Sequence, residues 1–220
     1  MPPASPDSHR ASAVVYATGV VQGIVLVTFP AASAIFTATN EYGLSSTLYG
    51  AMFLPQVLAA IVAALVVGRL TARFGAKHIY QAGLLSSLLA MVLLFASRFV
   101  ESDRMIAYPI LLVATALVGA GFGLTVPTIN ALVATLQAKT VDRATLVLNA
   151  LLGLGTALAP VFVAVFVGLG FWWGLPLLSV AILAILLIVS FPLSLAAERN
   201  AATKTPLPAE FWLFAAIALL

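Results

Sequence analysis

The sequence has no cysteine and very little charge. Without cysteine, its 220 residues can form no disulfide framework, no thiolate nucleophile and no thiolate metal site. Charged residues make up only 8% of the chain and hydrophobic residues 63%, whereas charged residues are about a quarter of an ordinary soluble domain. This composition excludes a typical soluble globular domain and indicates an integral membrane protein.

The few charged residues lie in short polar breaks between long apolar runs. The ten basic residues are scattered through these breaks, so the net charge of +3 does not form the basic patch of a nucleic-acid-binding protein. No apolar run contains a His, Asp, Glu, Lys or Arg that could act as an intramembrane base. We therefore predict neither an enzyme nor a metal or cofactor site. The acidic residues are Asp7, Glu41, Glu101, Asp103, Asp142, Glu198 and Glu210.

Six apolar runs are each long enough to cross a membrane as an α-helix, which takes roughly 20 residues. Backbone amides in hydrocarbon must be bonded within their own segment, and no run shows the alternation of barrel strands, so we predict an all-α membrane protein. The polar residues 1–12 form a tail and residues 195–210 a linker. Residues 211–220 start like a seventh helix that is cut short, because they lack the polar face of an interfacial helix. The six predicted spans lie near 13–38, 48–68, 79–97, 106–137, 145–168 and 172–194.

Alternate breaks hold most of the basic residues. Because cytoplasmic loops are enriched in Lys and Arg, this bias predicts a cytoplasmic N-terminus for a multi-pass protein of the plasma or inner membrane. Trp172 and Trp173, at the outer end of span 6, are expected to lie in the headgroup region. The cytoplasmic set is Arg10, Arg69, Arg73, Lys77, Lys139, Arg143, Arg199 and Lys204, against Arg98 and Arg104 outside.

The chain also contains an internal repeat. A shift of 97 positions lays span 1 on span 4 and matches Thr28 with Thr125 and Pro30 with Pro127. The same shift lays span 2 on span 5 and span 3 on span 6, so the repeat units cover about 13–97 and 106–194. A unit with an odd number of crossings is inverted in the membrane, which predicts a 3+3 inverted repeat.

The break after span 2 reads GRLTARFGAK. It resembles the loop signature of the major facilitator superfamily, in which an Asp-Arg pair and a second glycine follow a Gly-x-Leu start. Ala72 stands where that family has its Asp, which helps to hold the two halves of the transporter together, so this contact cannot be carried over. Ala76 stands where the family usually has a basic residue. The matching residues of this conformational loop are Gly68, Leu70, Arg73, Gly75 and Lys77.

Spans 4 and 5 are similar to the fucose-permease-like branch of that superfamily. Val126 stands where the permease has an acid used in proton coupling. Coupling groups could therefore lie in a second half outside this chain or at Glu41, or the protein could lack coupling. The resemblance rests on Gly121, Gly123, Asn130, Gly153, Gly155 and Pro160.

The resemblance implies a major facilitator N-terminal half: a secondary active or facilitative transporter, such as a symporter, working by alternating access. Its partners would be the bilayer, a missing C-terminal half and a small polar organic solute, with sugars as one candidate class. The alternative is a non-transporting fragment or half-size scaffold that needs a second half.

Uncharged polar residues inside the spans are the candidates for solute contact, because such transporters line their cavity with the first and fourth helices of each half. A Ser or Thr hydroxyl can instead bond to its own helix, whereas an amide has more hydrogen-bonding groups than one helix satisfies. The predicted substrate-binding residues are Gln22, Thr28, Ser33, Gln56, Thr125, Thr128, Asn130 and Asn149.

Overall fold

The computed structural model of the chain describes residues 6–193 and 195, with side chains from residue 9 onward. The predicted linker beyond residue 195 and the predicted seventh helix at 211–220 lie outside these residues. The described part is helical and contains no β-strand, as predicted. Its α-helices are α1 (Pro6–Ala31), α2 (Ser33–Thr37), α3 (Ser46–Ala51), α4 (Phe53–Phe74), α5 (Ala76–Ser97), α6 (Arg104–Leu136), α7 (Val141–Gly168) and α8 (Gly174–Ser190).

Five helical segments are long and apolar enough to cross a membrane. They are named here span 1 (His9–Thr37), span 2 (Ser46–Phe74), span 3 (Ala76–Val100), span 4 (Arg104–Leu136) and span 5 (Val141–Gly168). The predicted sixth span is the apolar helix α8, whose 17 residues reach about 26 Å at the rise of an α-helix. That length is at the lower end of what crosses a bilayer. The all-α membrane class is thus confirmed.

Helix α8 is shorter than the predicted range 172–194 at both ends. It begins at Gly174, after a turn in which Gly170 has a φ of +82°. It ends at Ser190, two residues before Pro192. Pro192 has no N–H to continue the helical hydrogen bonds, so the helix stops there, although Phe191 itself keeps helical backbone angles.

The loop after span 2 is tighter than the sequence predicted. The polar segment 68–77 was expected to separate two helices, but α4 continues to Phe74 and α5 starts at Ala76. Gly75 alone breaks the helix, with a φ of +86° that only glycine adopts without strain. Arg73 lies in the last turn of α4, where a cation interacts favourably with the helix dipole.

The packing of the helices has part of the symmetry that the repeat predicts; span 3 also packs closely along span 4, whereas the counterpart pair, α8 and span 1, packs less closely. Span 1 packs along span 5, and span 4 packs along span 2. The shift of 97 positions exchanges these two pairs. Span 3 packs against α8, and the shift relates these two helices to each other. We name the end of the bundle that holds Gly75 the cytoplasmic end and the opposite end the outer end, after the orientation that the charge bias predicts; this orientation stays a prediction.

Glycines allow the paired helices to come together. A Cβ atom on Gly119 of span 4 would collide with the backbone oxygen of Gln56 in span 2. A Cβ atom on Gly155 of span 5 would collide with the backbone oxygen of Val20 in span 1. Close backbone packing is the main way in which helices associate in lipid, where there is no hydrophobic drive between them.

An aromatic cluster closes the outer end. Trp172 packs into it, with its ring 5.9 Å from that of Tyr42, so this tryptophan contacts protein and is more than a headgroup anchor. Tyr42 is buried, and its hydroxyl bonds to Ser97 Oγ at 2.6 Å. The Arg98 guanidinium lies 4.5 Å from the ring centre of Trp173. The cluster consists of Phe29, Phe36, Tyr42, Tyr49, Phe53 and Trp172.

Candidate substrate-binding site

Gln22 is the centre of a buried polar cluster between three spans. Its side chain is fully buried in span 1. Its Nε2 donates to Ser87 Oγ of span 3 at 3.1 Å and to Thr125 Oγ1 of span 4 at 3.4 Å. Ser87 Oγ in turn donates to Gln22 Oε1 at 3.4 Å. The amide therefore links spans 1, 3 and 4 in the interior of the bundle.

Two glycines provide the room for this cluster. A Cβ atom on Gly83 of span 3 would collide with the hydroxyl of Thr125, and one on Gly121 of span 4 would collide with the hydroxyl of Ser87. Each glycine thus faces the hydroxyl of the opposite helix. The predicted residues Gln22 and Thr125 are brought together here, with Ser87 as the third member.

Sequence reasoning missed the contribution of span 3. Besides Ser87, Tyr80 is fully buried, and its hydroxyl is 2.6 Å from Thr18 Oγ1 of span 1. The sequence predicts solute contacts on spans 1 and 4, with Gln56 of span 2 and Asn149 of span 5 in addition, and none on span 3. A signal was present, because Gly83 precedes Ser87 by one helical turn within a predicted span.

The remaining candidate hydroxyls bond back to their own helices or lie at a helix start. Thr28 Oγ1 donates to the Ile24 oxygen at 2.8 Å, and Thr128 Oγ1 donates to the Leu124 oxygen at 2.7 Å. Both side chains are buried. Ser33 is half-buried and begins α2, just beyond Pro30. The hydroxyls of Thr28 and Thr128 therefore have an intrahelical partner already.

Both asparagines are at least partly open. Asn130 is half-buried in span 4, and its Nδ2 donates to the Val126 oxygen at 2.9 Å. This bond uses one of the amide's hydrogen atoms, so a second hydrogen atom and the carbonyl oxygen remain for another partner. Asn149 is exposed on span 5.

Gln56 lies in the contact between spans 2 and 4. Its Oε1 is buried and has no hydrogen-bond partner among the described residues. A buried acceptor without a partner costs free energy, of the order of 1–3 kcal/mol. The oxygen of Gln56 is therefore a position where a water molecule or a solute hydroxyl would be stabilised.

Spans 1 and 4 expose corresponding faces. Pro30 and Ala34 are exposed in span 1, and Pro127 and Ala131, their counterparts under the repeat shift, are exposed in span 4. Asn130 lies next to Ala131 at the edge of this surface. The surface is uncharged, so it can recognise a solute by shape and hydrogen bonds.

The predicted loop residues have separate structural roles. Gly75 forms the turn, and Lys77 Nζ donates to the backbone oxygen of Phe191 at 2.6 Å, just beyond the end of α8. Next to it, Gln81 Nε2 donates to Ser190 Oγ at 3.0 Å. Lys77 and Gln81 thus tie the start of span 3 to the end of α8, where helix carbonyls lack partners.

The other members of the motif lie within α4. A Cβ atom on Gly68 would have no atom within 4 Å, so no described residue requires glycine there. Leu70 is half-buried and Arg73 is exposed, with its guanidinium 5.2 Å from the ring centre of Phe74. Gly68 and Arg73 are therefore open to contacts outside the described residues.

Two carboxyl groups interact at the outer end. Glu41 lies between spans 1 and 2, and Glu101 lies between spans 3 and 4. Burial raises the pKa of Glu101, the nearby Glu41 raises it further, and Arg98 opposes the shift. Glu101 Oε2 is buried without a hydrogen-bond partner among the described residues. These contacts favour a proton on Glu101.

The long apolar helices define a multi-pass α-helical membrane protein. The sequence model of the Major Facilitator Superfamily matches residues 12–219. The chain therefore belongs to the Major Facilitator Superfamily, whose members are membrane transporters and not enzymes. No curated protein sequence matches the chain. The similarity to the fucose-permease-like branch stays a prediction.

Proposed function

We propose that the protein carries a small, uncharged polar organic solute by alternating access, with the exposed faces of spans 1 and 4 as this half's side of the cavity. The observation that carries the proposal is the matching exposure of Pro30 with Pro127 and of Ala34 with Ala131, beside the half-buried amide of Asn130. Two inverted units that expose equivalent faces provide one wall of a cavity at the membrane midplane.

The proposed solute contacts are Asn130, Asn149 and Ser33. Each side chain is at least partly accessible, and the amides have hydrogen-bonding groups to spare. Gln22 and Thr125 are buried and bonded to each other, so in this conformation they hold helices together. A sugar fits this set of contacts, because hydroxyl groups both donate to and accept from amides.

Uptake by proteoliposomes that contain the full-length protein tests the proposal. Thermal-shift screening of neutral metabolites would first identify a ligand. Asn130→Ala should then raise the KM about fivefold, because a lost hydrogen bond of this kind contributes of the order of 1 kcal/mol. Thr135→Ala is the matched control, since Thr135 Oγ1 bonds to the Ala131 oxygen of its own helix at 3.0 Å.

Unchanged uptake kinetics in Asn130→Ala would remove this residue from the proposed site. No ligand-dependent uptake by the wild type would favour the alternative, a membrane scaffold that does not transport.

Proton coupling is a separate part of the proposal, with Glu41 as the candidate group of this chain. Uptake is compared with and without an inward pH gradient. If Glu41 carries the proton, Glu41→Gln should abolish the stimulation by the gradient and leave equilibrium exchange of solute intact. Gradient-independent uptake by the wild type would rule out proton symport.

A further inference from the structure

One face of α4 combines large apolar residues with two arginines. Leu58, Val62 and Leu65 are 63%, 59% and 76% exposed, and Arg69 and Arg73 are exposed as well. With 3.6 residues per turn, these five residues fall within an arc of about 80° on the helix surface. We refer to them as the arginine-leucine stripe.

The stripe has the length of one leaflet. It extends over 15 residue steps, from Leu58 to Arg73, which is about 22 Å along a helix. A bilayer with its headgroups is about 40–45 Å thick, so one leaflet measures about 20–22 Å. A lipid beside α4 would thus place its acyl chains on the apolar residues and its headgroup at the arginines.

The arginine end of the stripe is positively charged, and no acidic residue lies close to the two arginines along the sequence. The chain contains no Asp or Glu from residue 42 to residue 100. Between Arg69 and Arg73 lies Ala72, which is exposed and uncharged. The Arg73 guanidinium packs over Phe74, whose ring is 51% exposed. An aromatic ring beside a cation is typical of the membrane interface.

The neighbouring face of α4 is different and fits another helix. It consists of Ala64, Gly68 and Ala72, all of them exposed. Small residues let helices approach closely, whereas the large side chains of the stripe would keep a neighbouring helix further away. The stripe and this small-residue face are therefore suited to different partners.

We propose that the arginine-leucine stripe binds an anionic phospholipid, with the lipid phosphate at Arg69 and Arg73 and an acyl chain along Leu65, Val62 and Leu58. Arginine forks match phosphate oxygens in pairs. A headgroup without a cation beside its phosphate keeps a net negative charge, so it should be attracted to the two arginines more strongly than a zwitterionic headgroup. Clustered cations beside a membrane-spanning helix are a recognised basis for anionic lipid binding. Lys77 is not part of this site, because its Nζ is bonded to Phe191.

The test measures phosphatidylglycerol binding to the full-length protein by native mass spectrometry, with phosphatidylcholine as the reference lipid. The variant Arg69→Gln with Arg73→Gln should weaken phosphatidylglycerol binding about 30-fold, because each surface cation contributes roughly a fivefold attraction. Phosphatidylcholine binding should stay as in the wild type. Both arginines are exposed, so the substitutions leave the packing of the bundle intact.

The matched control is Lys139→Gln with Arg143→Gln, which removes two exposed cations between spans 4 and 5. This control should bind phosphatidylglycerol like the wild type. Equal losses in both double variants would show that only the overall surface charge matters and would overturn the site. Equal binding of phosphatidylglycerol and phosphatidylcholine by the wild type would also overturn the proposed lipid site. In that case a neutral lipid or another part of the protein would cover the stripe.

Discussion

At the scale of single residues, Gln22 sets how spans 1, 3 and 4 meet. A buried primary amide needs several partners, and the hydroxyls of Ser87 and Thr125 supply them from two other helices. The sequence placed Gln22 in a membrane span and indicated that one helix could not satisfy it. It could not show that the partners are protein hydroxyls, since that depends on the rotation of three helices.

Replacement of Gln22 by leucine should destabilise the protein by about 1–2 kcal/mol, because interhelical hydrogen bonds in membranes contribute of the order of 0.6–1.7 kcal/mol. Thermal unfolding in detergent measures this loss. Thr28→Val is the control within the same span, since its hydroxyl bonds to its own helix, and its midpoint should hardly change. A Gln22→Leu protein that is as stable as the wild type but binds solute more weakly would instead make Gln22 a solute contact.

The acidic pair at the outer end gives a pH dependence. Because burial and Glu41 raise the pKa of Glu101 in the folded protein, the folded state binds more protons than the unfolded state. Stability should therefore fall as the pH rises above the ordinary carboxyl range. Glu101→Gln should reduce this loss of stability. Unfolding midpoints of the wild type and the variant between about pH 4 and pH 8 measure the difference.

Asp103 provides the control for this prediction. Its Oδ1 accepts from the Met105 amide at the start of α6, and Asp103→Asn keeps that cap. This variant should retain the wild-type pH dependence. A pH dependence unchanged in Glu101→Gln would mean that Glu101 does not carry the proton.

At the scale of helices, the contact between spans 1 and 5 depends on glycine. A Cβ atom on Gly155 would collide with the Val20 oxygen and lie 3.1 Å from the Gly23 Cα atom, whereas one on Gly153 would meet nothing within 4 Å. Gly155→Ala should therefore cost about 1–3 kcal/mol, because the helices must separate. Gly153→Ala should be neutral or slightly stabilising, since alanine favours the helix.

Gly153 and Gly155 lie two residues apart on the same helix and on nearly opposite faces of it, which makes the unfolding midpoints of the two variants directly comparable. Equal midpoints for Gly155→Ala and Gly153→Ala would contradict the close packing of spans 1 and 5.

The helices themselves were largely predictable, because hydropathy marks where a chain can cross a membrane. Their ends were less so. Arg69 and Arg73 read as part of a loop, yet they lie in the last turns of α4, since a helix continues through polar residues that need no special backbone geometry. Only Gly75, with its positive φ, stops it.

At the scale of the whole molecule, the pairing of helices was partly predictable and the cavity was not. The repeat predicts two equivalent pairs, and the structure pairs span 1 with span 5 and span 2 with span 4; the repeat itself stays a prediction. Which amides remain accessible depends on packing: Gln22 is buried, whereas Asn149 is exposed. The identity of the solute depends on both walls of a cavity.

The central claim is that the protein is a carrier, and solute counterflow tests it most directly. Proteoliposomes of the full-length protein are loaded with unlabelled ligand from the thermal-shift screen, diluted, and given a trace of labelled ligand outside. A carrier that alternates between two sides should accumulate label transiently above its outside concentration, and Asn130→Ala should reduce this overshoot. A slow monotonic rise to equilibrium, or no entry of label, would contradict alternating access.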